Sequence, residues 1–270
     1  MEIVKEYKNV LANEDVYITS PNLEKKSIFS PAFRFFSRMI RIFVFANKLS
    51  KKNLYDRYNW VNSSKMIMDE LEKVGIKFEI SGMENISSFE GPAVFIGNHM
   101  SSLETVVLPR IICPKKLVCF VTKQELNKTL LFGPINSARH PIIVGRENAR
   151  EDLTQVMEQG AARLKEGRSI VLFPQKTRAS VFDVKNFNSL GVKLAKRSNV
   201  PVVPIALLTE AWKNGKLVKD FGKIDTSKKV YIAFGKPIKI TGNGSEQQAE
   251  VIEFITSHLK KWGREELILE

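Results

Sequence analysis

Cysteine is nearly missing from this chain of 270 residues: only Cys113 and Cys119 occur. Both fall in an apolar stretch that reads as passing from helix to strand, so no disulfide framework organises the fold and a reducing compartment is expected. Histidine is scarce as well, with three in the whole chain. Three isolated histidines and two cysteines offer no ligand-spaced cluster, so neither a metal nor a resident cofactor is expected. No uninterrupted apolar run approaches the roughly 18 residues of a membrane-spanning helix, so any membrane attachment should be peripheral. The opening MEIVKEYKNV mixes acids and bases without the basic start and apolar run of a secretory signal. Cytosolic exposure is the expectation. Internal repeats, low-complexity tracts and a Gly-x-Ser-x-Gly nucleophile elbow are also absent from the sequence.

Acidic residues are in short supply. Lys and Arg total 42 against 29 Asp and Glu, a net charge of +13, which favours anionic partners: phospholipid surfaces, nucleic acid, or acidic carriers and cofactors. Helix-turn-helix, zinc and RNA-binding motifs are lacking, and aromatics gather with arginines in one amphipathic stretch instead of lining a polar sheet face, which excludes nucleic acid from the expected partners. A hydrophobic fraction of 43% with 26% charged residues is that of a globular protein. The length admits one α/β domain with an appendage.

After Pro31 the segment AFRFFSRMIRIFVFANK puts Arg34, Arg38, Arg41 and Lys48 on one helical stripe, because spacings of four, three and seven return to nearly the same azimuth. Phe33, Phe35, Phe36, Met39, Ile40, Phe43 and Val44 supply a wide apolar face. This is the pattern of a helix lying in a bilayer interface with its basic residues toward lipid phosphates, and equally that of a core-packed helix with a solvated basic stripe. A second amphipathic stretch carries Trp60, Val61, Ile67, Met68, Leu71 and Val74, with Gly75 as its stop. Residues 1–75 therefore read as an N-terminal helical module.

From Ile76 the texture changes to short β-rich runs: KFEI, AVFIGN, LVCFVT, PIIVG, SIVLF, VPVVPIAL and VYIAFG. Helical patterns lie between them, over 148–166 and 187–196, and a last helix opens at Ser245, where Ser245 and Gln248 have capping-box spacing. Residues 76–270 are expected to form an α/β domain with a mixed, mostly parallel sheet flanked by helices, preceded by the amphipathic helical pair.

The densest chemistry is in AVFIGNHMSSLET, where a strand ends at Asn98 and delivers His99 into a loop, with Glu104 five positions on. A carboxylate accepting the Nδ1 proton would fix the imidazole tautomer and leave Nε2 free to take a proton from a hydroxyl. With no nucleophile elbow, direct attack by an acceptor hydroxyl is more natural than an acyl-enzyme. The same spacing allows a plainer reading, since Ser101 and Glu104 also fit a capping box at a helix start.

These residues, with KQEL, FGP and IIVGR, then LFPQKTR, then VPVVPIAL, resemble in order the four blocks of the glycerolipid acyltransferase superfamily, of the 1-acylglycerol-3-phosphate acyltransferase type. GMENI and FGKPI look like further landmarks, so the resemblance runs from Gly82 to Ile238. It implies that His99 is the general base and Glu104 its orienting acid. It also implies that Lys123, Arg146 and Arg178 meet the acceptor phosphate, with Lys176 and Thr177 in the same substrate-binding block. Arg139 and His140 do not match the family's arginine and are read as structural. Pro174 with Thr177 should shape the third block, and Pro201 with Pro204 should stiffen the approach to the last core strand. Glu104 stands where aspartate is commoner, Gln175 and Lys176 replace the acid and glycine of FPEGTR, and Leu190 stands where a glycine is common.

The resemblance implies transfer of a fatty acyl group from acyl-CoA or acyl carrier protein, as co-substrate, to 1-acylglycerol-3-phosphate, giving phosphatidate. Two alternatives stay open: the same chemistry on glycerol-3-phosphate, another lysophospholipid or a lyso-aminolipid, and a catalytically silent membrane-binding homologue. The expected place is the cytoplasmic face of the cell membrane, held to anionic lipid by Phe33, Arg34, Phe36, Arg38, Arg41 and Phe43.

Overall fold

The apolar runs of the middle of the chain become strands buried on both faces. The structure, a computed structural model, describes residues 1–270 apart from Lys8, Lys25, Lys26, Arg146, Lys176, Lys216 and Leu217. In chain order the elements are β1 (Val16–Ile18), α1 (Pro31–Lys51), α2 (Arg57–Lys73), β2 (Phe78–Ser81), β3 (Val94–Gly97), α3 (Leu103–Ile112) and β4 (Val118–Lys123). There follow α4 (Gln124–Asn127), α5 (Phe132–Ser137), β5 (Ile142–Val144), α6 (Ala149–Lys165), β6 (Ser169–Leu172) and β7 (Phe182–Asp183). The chain closes with α7 (Leu190–Ser198), β8 (Val202–Leu208), β9 (Val230–Phe234), α8 (Ser245–Lys261) and β10 (Ile268–Leu269).

Eight strands form one sheet in the order β1-β2-β9-β8-β3-β6-β4-β5. From β8 to β5 every pair is parallel, β2 pairs parallel with β9, and the β8–β9 and β1–β2 pairs are antiparallel. The mixed, mostly parallel sheet expected from the sequence is thus what forms. Alternate residues of the central strands serve opposite layers, as a strand period of two requires. Phe95, Val171, Val203 and Ile205 join the cluster containing Phe35, Met39, Met68, Leu71 and Val107 of α1, α2 and α3. Val94, Ile96, Ile170, Leu172 and Val202 join the opposite cluster with Val156, Leu194, Val251 and Ile255 of α6, α7 and α8. Each fully buried aliphatic or phenyl side chain contributes on the order of 2 kcal/mol of transfer free energy.

The N-terminal helices begin where their caps dictate. Ser30 Oγ accepts the Phe33 N–H at 3.3 Å with Pro31 next in line, and Asp56 Oδ1 accepts the Asn59 N–H at 2.9 Å. Gly75, at φ 102°, ends the α2 turn as expected. At α8 the outcome differs: the residue before it is Gly244, Ser245 makes no capping bond, and Gln248 Nε2 donates to the Phe187 carbonyl at 3.1 Å. The capping-box spacing there is coincidental, because a tertiary acceptor takes the glutamine. Pro204 also departs from expectation, lying inside β8 opposite Ile96 instead of ahead of it, one residue before the β9 ladder begins at Ile205.

Candidate active site

Because β3, β6, β4, β5 and β8 run parallel, the residues that follow each of them emerge at one edge of the sheet. The chain crosses from β6 on one side of β3 to β8 on the other, which is the kind of switch point where α/β sheets bind ligands. Asn98 extends β3 beyond its last paired residue: its Nδ2 donates to Leu207 O at 2.8 Å and its Oδ1 accepts from Leu207 N at 2.9 Å. His99 then leaves the sheet from a fixed point. Its backbone is gripped on both sides by the segment after β6, the N–H donating to Gln175 Oε1 at 2.6 Å and the carbonyl accepting from Ala179 N at 2.9 Å. The imidazole stacks on Phe173, with centroids 4.4 Å apart and planes inclined by 8°.

His99 Nδ1 lies 3.8 Å from Glu104 Oε1, within ion-pair range and beyond a hydrogen bond, and it is buried with no other polar partner. Glu104 is fully buried. Its oxygens accept the N–H of Met100 at 2.7 Å and of Ser101 at 2.9 and 3.0 Å, the Ser101 hydroxyl at 3.0 Å and the Thr209 hydroxyl at 3.0 Å. Burial opposes its ionisation, but the facing His99 and the Ser101 amide outweigh it and hold the carboxyl below the usual carboxylate range. Glu104 therefore closes the loop before α3 by accepting the Ser101 amide and also faces the imidazole. The full capping box is not formed, since the residue capping α3 is Ser102 and Ser101 Oγ accepts from Leu103 N.

Arg178 lies beside this pair. Its Nη1 meets Asp220 Oδ1 at 2.5 Å and also donates to Ser102 Oγ, and Ser102 Oγ donates to Asp220 Oδ1 at 2.6 Å. Thr177 Oγ1 accepts from Lys219 Nζ at 3.4 Å. Lys123 is exposed at the end of β4, two strands from β3 but at the same sheet edge. Arg146 and Lys176 lie outside the described residues. Arg139 and His140 are elsewhere, lining a cavity with Tyr55, Trp60 and the start of β4 at Val118; the Arg139 guanidinium sits 4.9 Å over the Trp60 ring and donates to Tyr55 Oη at 3.0 Å.

Sequence reasoning missed Thr209, Ser102 and Asp220, and took Gln175 only as a departure. Thr209 carried a usable signal, since it is the first polar residue after the β8 run, as Asn98 is after β3. Asp220 carried none.

The apolar face assigned to α1 divides in two. Phe35, Met39, Ile42, Phe43 and Ala46 are buried, with Phe43 packed edge-on against Phe132 at 5.0 Å. Phe36 is half-buried between Trp212 at 5.6 Å and Phe221 at 5.1 Å. Phe43 and Phe36 are therefore core and bridging residues, not a free membrane face. What remains exposed is Phe33 with Ile40 and Val44, within about 40° of one azimuth at 100° per residue. Beside this arc run Arg38, Arg41 and Lys48, also exposed, while Arg34 Nη2 reaches the Lys73 carbonyl at 3.5 Å. Phe29, Leu130 and Phe221 extend the exposed apolar surface. Among the described residues no helix is long and apolar enough to cross a membrane, and no group of three His, Cys, Asp or Glu could hold a metal.

Residues 77–208 match the profile of the Acyltransferase family. The 1-acyl-sn-glycerol-3-phosphate acyltransferase of Pseudomonas aeruginosa is 35% identical over 49% of this chain and 49% of its own length. A chloroplast 1-acyl-sn-glycerol-3-phosphate acyltransferase of Arabidopsis thaliana is 28% identical over 49% of this chain and 36% of its own length. The chain thus spans about half the length of the first relative and about a third of the second. The crystal structure of the 1-acyl-sn-glycerophosphate acyltransferase of Thermotoga maritima superposes with a TM-score of 0.62 over 86% of this chain and 95% of that one, at 18% identity, and shares its fold.

Proposed function

We propose that this chain, whose residues 77–208 match the profile of the Acyltransferase family, moves a fatty acyl group from a thioester to the free hydroxyl of 1-acylglycerol-3-phosphate, giving phosphatidate. The observation that carries this reading is the fixed His99 imidazole, with buried Glu104 facing its Nδ1 and Arg178 next to the same loop. The Glu104 carboxylate favours a proton on Nδ1, which leaves Nε2 as the base. Nε2 removes the hydroxyl proton as the acceptor oxygen attacks the thioester carbonyl. The tetrahedral intermediate then collapses, the C–S bond breaks, and the departing thiolate takes the proton back from the imidazolium. Glu104 stabilises that imidazolium without being protonated. Arg178, a planar fork suited to phosphate, anchors the acceptor so that the hydroxyl reaches His99, with Lys123 and Arg146 as further cationic contacts.

The donor is acyl-CoA or acyl carrier protein, and no resident cofactor takes part. The protein works from the cytoplasmic face of the cell membrane. The exposed Phe33, Ile40 and Val44 beside Arg38, Arg41 and Lys48 support an interfacial seating of α1 on anionic lipid. The test is an acyl-transfer assay on the purified protein with 1-acylglycerol-3-phosphate, glycerol-3-phosphate and a zwitterionic lysolipid, each with both donors. Phosphatidate as the dominant product is expected. Transfer to none of the three acceptors would exclude the activity.

A further inference from the structure

Arg178 already holds an anion. Asp220 Oδ1 is 2.5 Å from its Nη1, and Ser102, which accepts a hydrogen bond from the same guanidinium, donates to the same carboxylate oxygen at 2.6 Å. The arrangement is a guanidinium and a hydroxyl converging on one anionic oxygen, which is how a phosphate oxygen would be received there. Burial works against the Asp220 charge, but Ser102 and Arg178 overcome it and hold the carboxyl below the usual carboxylate range, so Asp220 is ionised at neutral pH.

The partners are unequal in freedom. The Arg178 side chain is only 16% exposed, whereas that of Asp220 is 57% exposed and can turn into solvent. The backbone beneath Asp220 is fixed: Lys213 N–H donates to Lys223 O at 3.0 Å, and Trp212 Nε1 donates to the Asp220 carbonyl at 3.2 Å. Gly222 lets the two limbs of this excursion touch, since a Cβ there would stand 1.7 Å from Lys213 O. The next ring, Phe221, packs on Phe36 of α1 at 5.1 Å. Release of Arg178 therefore needs a side-chain rotation of Asp220 and no movement of the main chain.

We propose that Asp220 is a specificity-determining residue that occupies the Arg178–Ser102 anion site in the unliganded enzyme and yields it only to an acceptor carrying a phosphate monoester. This rests on the acyltransferase reading, in which Arg178 receives the acceptor phosphate. A monoester carries a charge of about −1.5 to −2 at neutral pH against −1 for a carboxylate, and offers more acceptor oxygens to the same donors. Phosphate thus outcompetes the tethered carboxylate. A neutral acceptor does not, and finds Arg178 and Ser102 already satisfied.

The alternative role for Asp220, holding Arg178 in the orientation that phosphate needs, predicts the opposite sign, and the full-length protein separates the two. With Asp220→Asn and Asp220→Ala, KM for 1-acylglycerol-3-phosphate and the inhibition constant of inorganic phosphate should both fall, by up to about fivefold, the ceiling for an ion pair open to solvent on one side. A rise in KM in both variants, or an unchanged phosphate inhibition constant, would overturn the proposal. Arg178→Ala supplies the control on the reading beneath it. Loss of the preference for phosphate-bearing acceptors in Arg178→Ala together with a raised KM in Asp220→Asn would sink the Asp220 proposal alone. A preference that survives Arg178→Ala would remove the assigned phosphate contact itself, and the proposal with it.

Discussion

The imidazole of His99 lies flat against the ring of Phe173, 4.4 Å away and within 8° of parallel. His99 follows β3 and Phe173 follows β6, so the contact joins two neighbouring parallel strands at their C-terminal ends. It fixes the ring plane while Glu104 faces one nitrogen, which leaves the other nitrogen a defined direction.

His99→Ala is expected to lower kcat by roughly 10²- to 10⁴-fold, the usual contribution of a general base, with cooperative unfolding retained. Phe173→Leu retains apolar volume but removes the flat surface, so kcat should fall several-fold with KM unmoved. Steady-state kinetics and a melting curve on each protein check both outcomes.

Gln175 holds the His99 amide through a carbonyl oxygen, a task that a glutamate oxygen would perform equally well. Gln175→Glu should therefore stay active. Gln175→Ala leaves a partly buried N–H without its acceptor and should cost about 1–3 kcal/mol of stability along with a reduced kcat. Denaturant titration of the two variants beside the parent measures the difference, and equal losses would refute the assignment.

Glu104 ties its ionisation to stability. Its carboxyl titrates lower in the folded chain than the ordinary 4.5, so the stabilisation is complete above that value and is lost as pH falls through the folded value. Glu104→Gln should melt well below the parent at pH 7, and the gap should narrow as the pH is taken below 4.5. Melting curves across pH 3 to 8 report it. A gap that does not change with pH would mean that the charge contributes nothing.

On α1 the two apolar arcs should respond differently. Replacing Phe33, Ile40 and Val44 by Ser should release the protein from anionic vesicles at unchanged stability. Phe43→Ser, which strips a buried ring from Phe132, should cost roughly 3–5 kcal/mol of stability. Reversing the charge of Arg38 and Arg41 should weaken vesicle binding by about 1 kcal/mol per residue in low salt, and less at high salt. Cosedimentation and calorimetry distinguish the arcs.

Much of this arrangement was legible in the sequence because strands buried on both faces announce themselves as continuous apolar runs, and the polar residue ending a run marks the sheet edge. His99 was found that way, and Thr209 could have been. The division of α1 was not legible: helical periodicity tells which residues share an azimuth, but not which of two adjacent apolar arcs meets the protein. Asp220 was hidden for another reason, since it meets Arg178 across 42 residues of chain within an excursion that has no local pattern. The strand pair β7–β10, two residues on each side, is too short for any periodicity to register.

The loop carrying His99 is closed on itself through Glu104, whereas the segments after β6 and β8 reach it mainly with side chains such as Gln175, Thr209 and Asp220. Inheritance can therefore act on the two halves separately. Under the proposed function, substitutions at Asp220 or its neighbours should shift which lipid headgroup is accepted and leave the His99–Glu104 loop folded as before. Descendants of one ancestral enzyme could diverge in diet while keeping the same teeth.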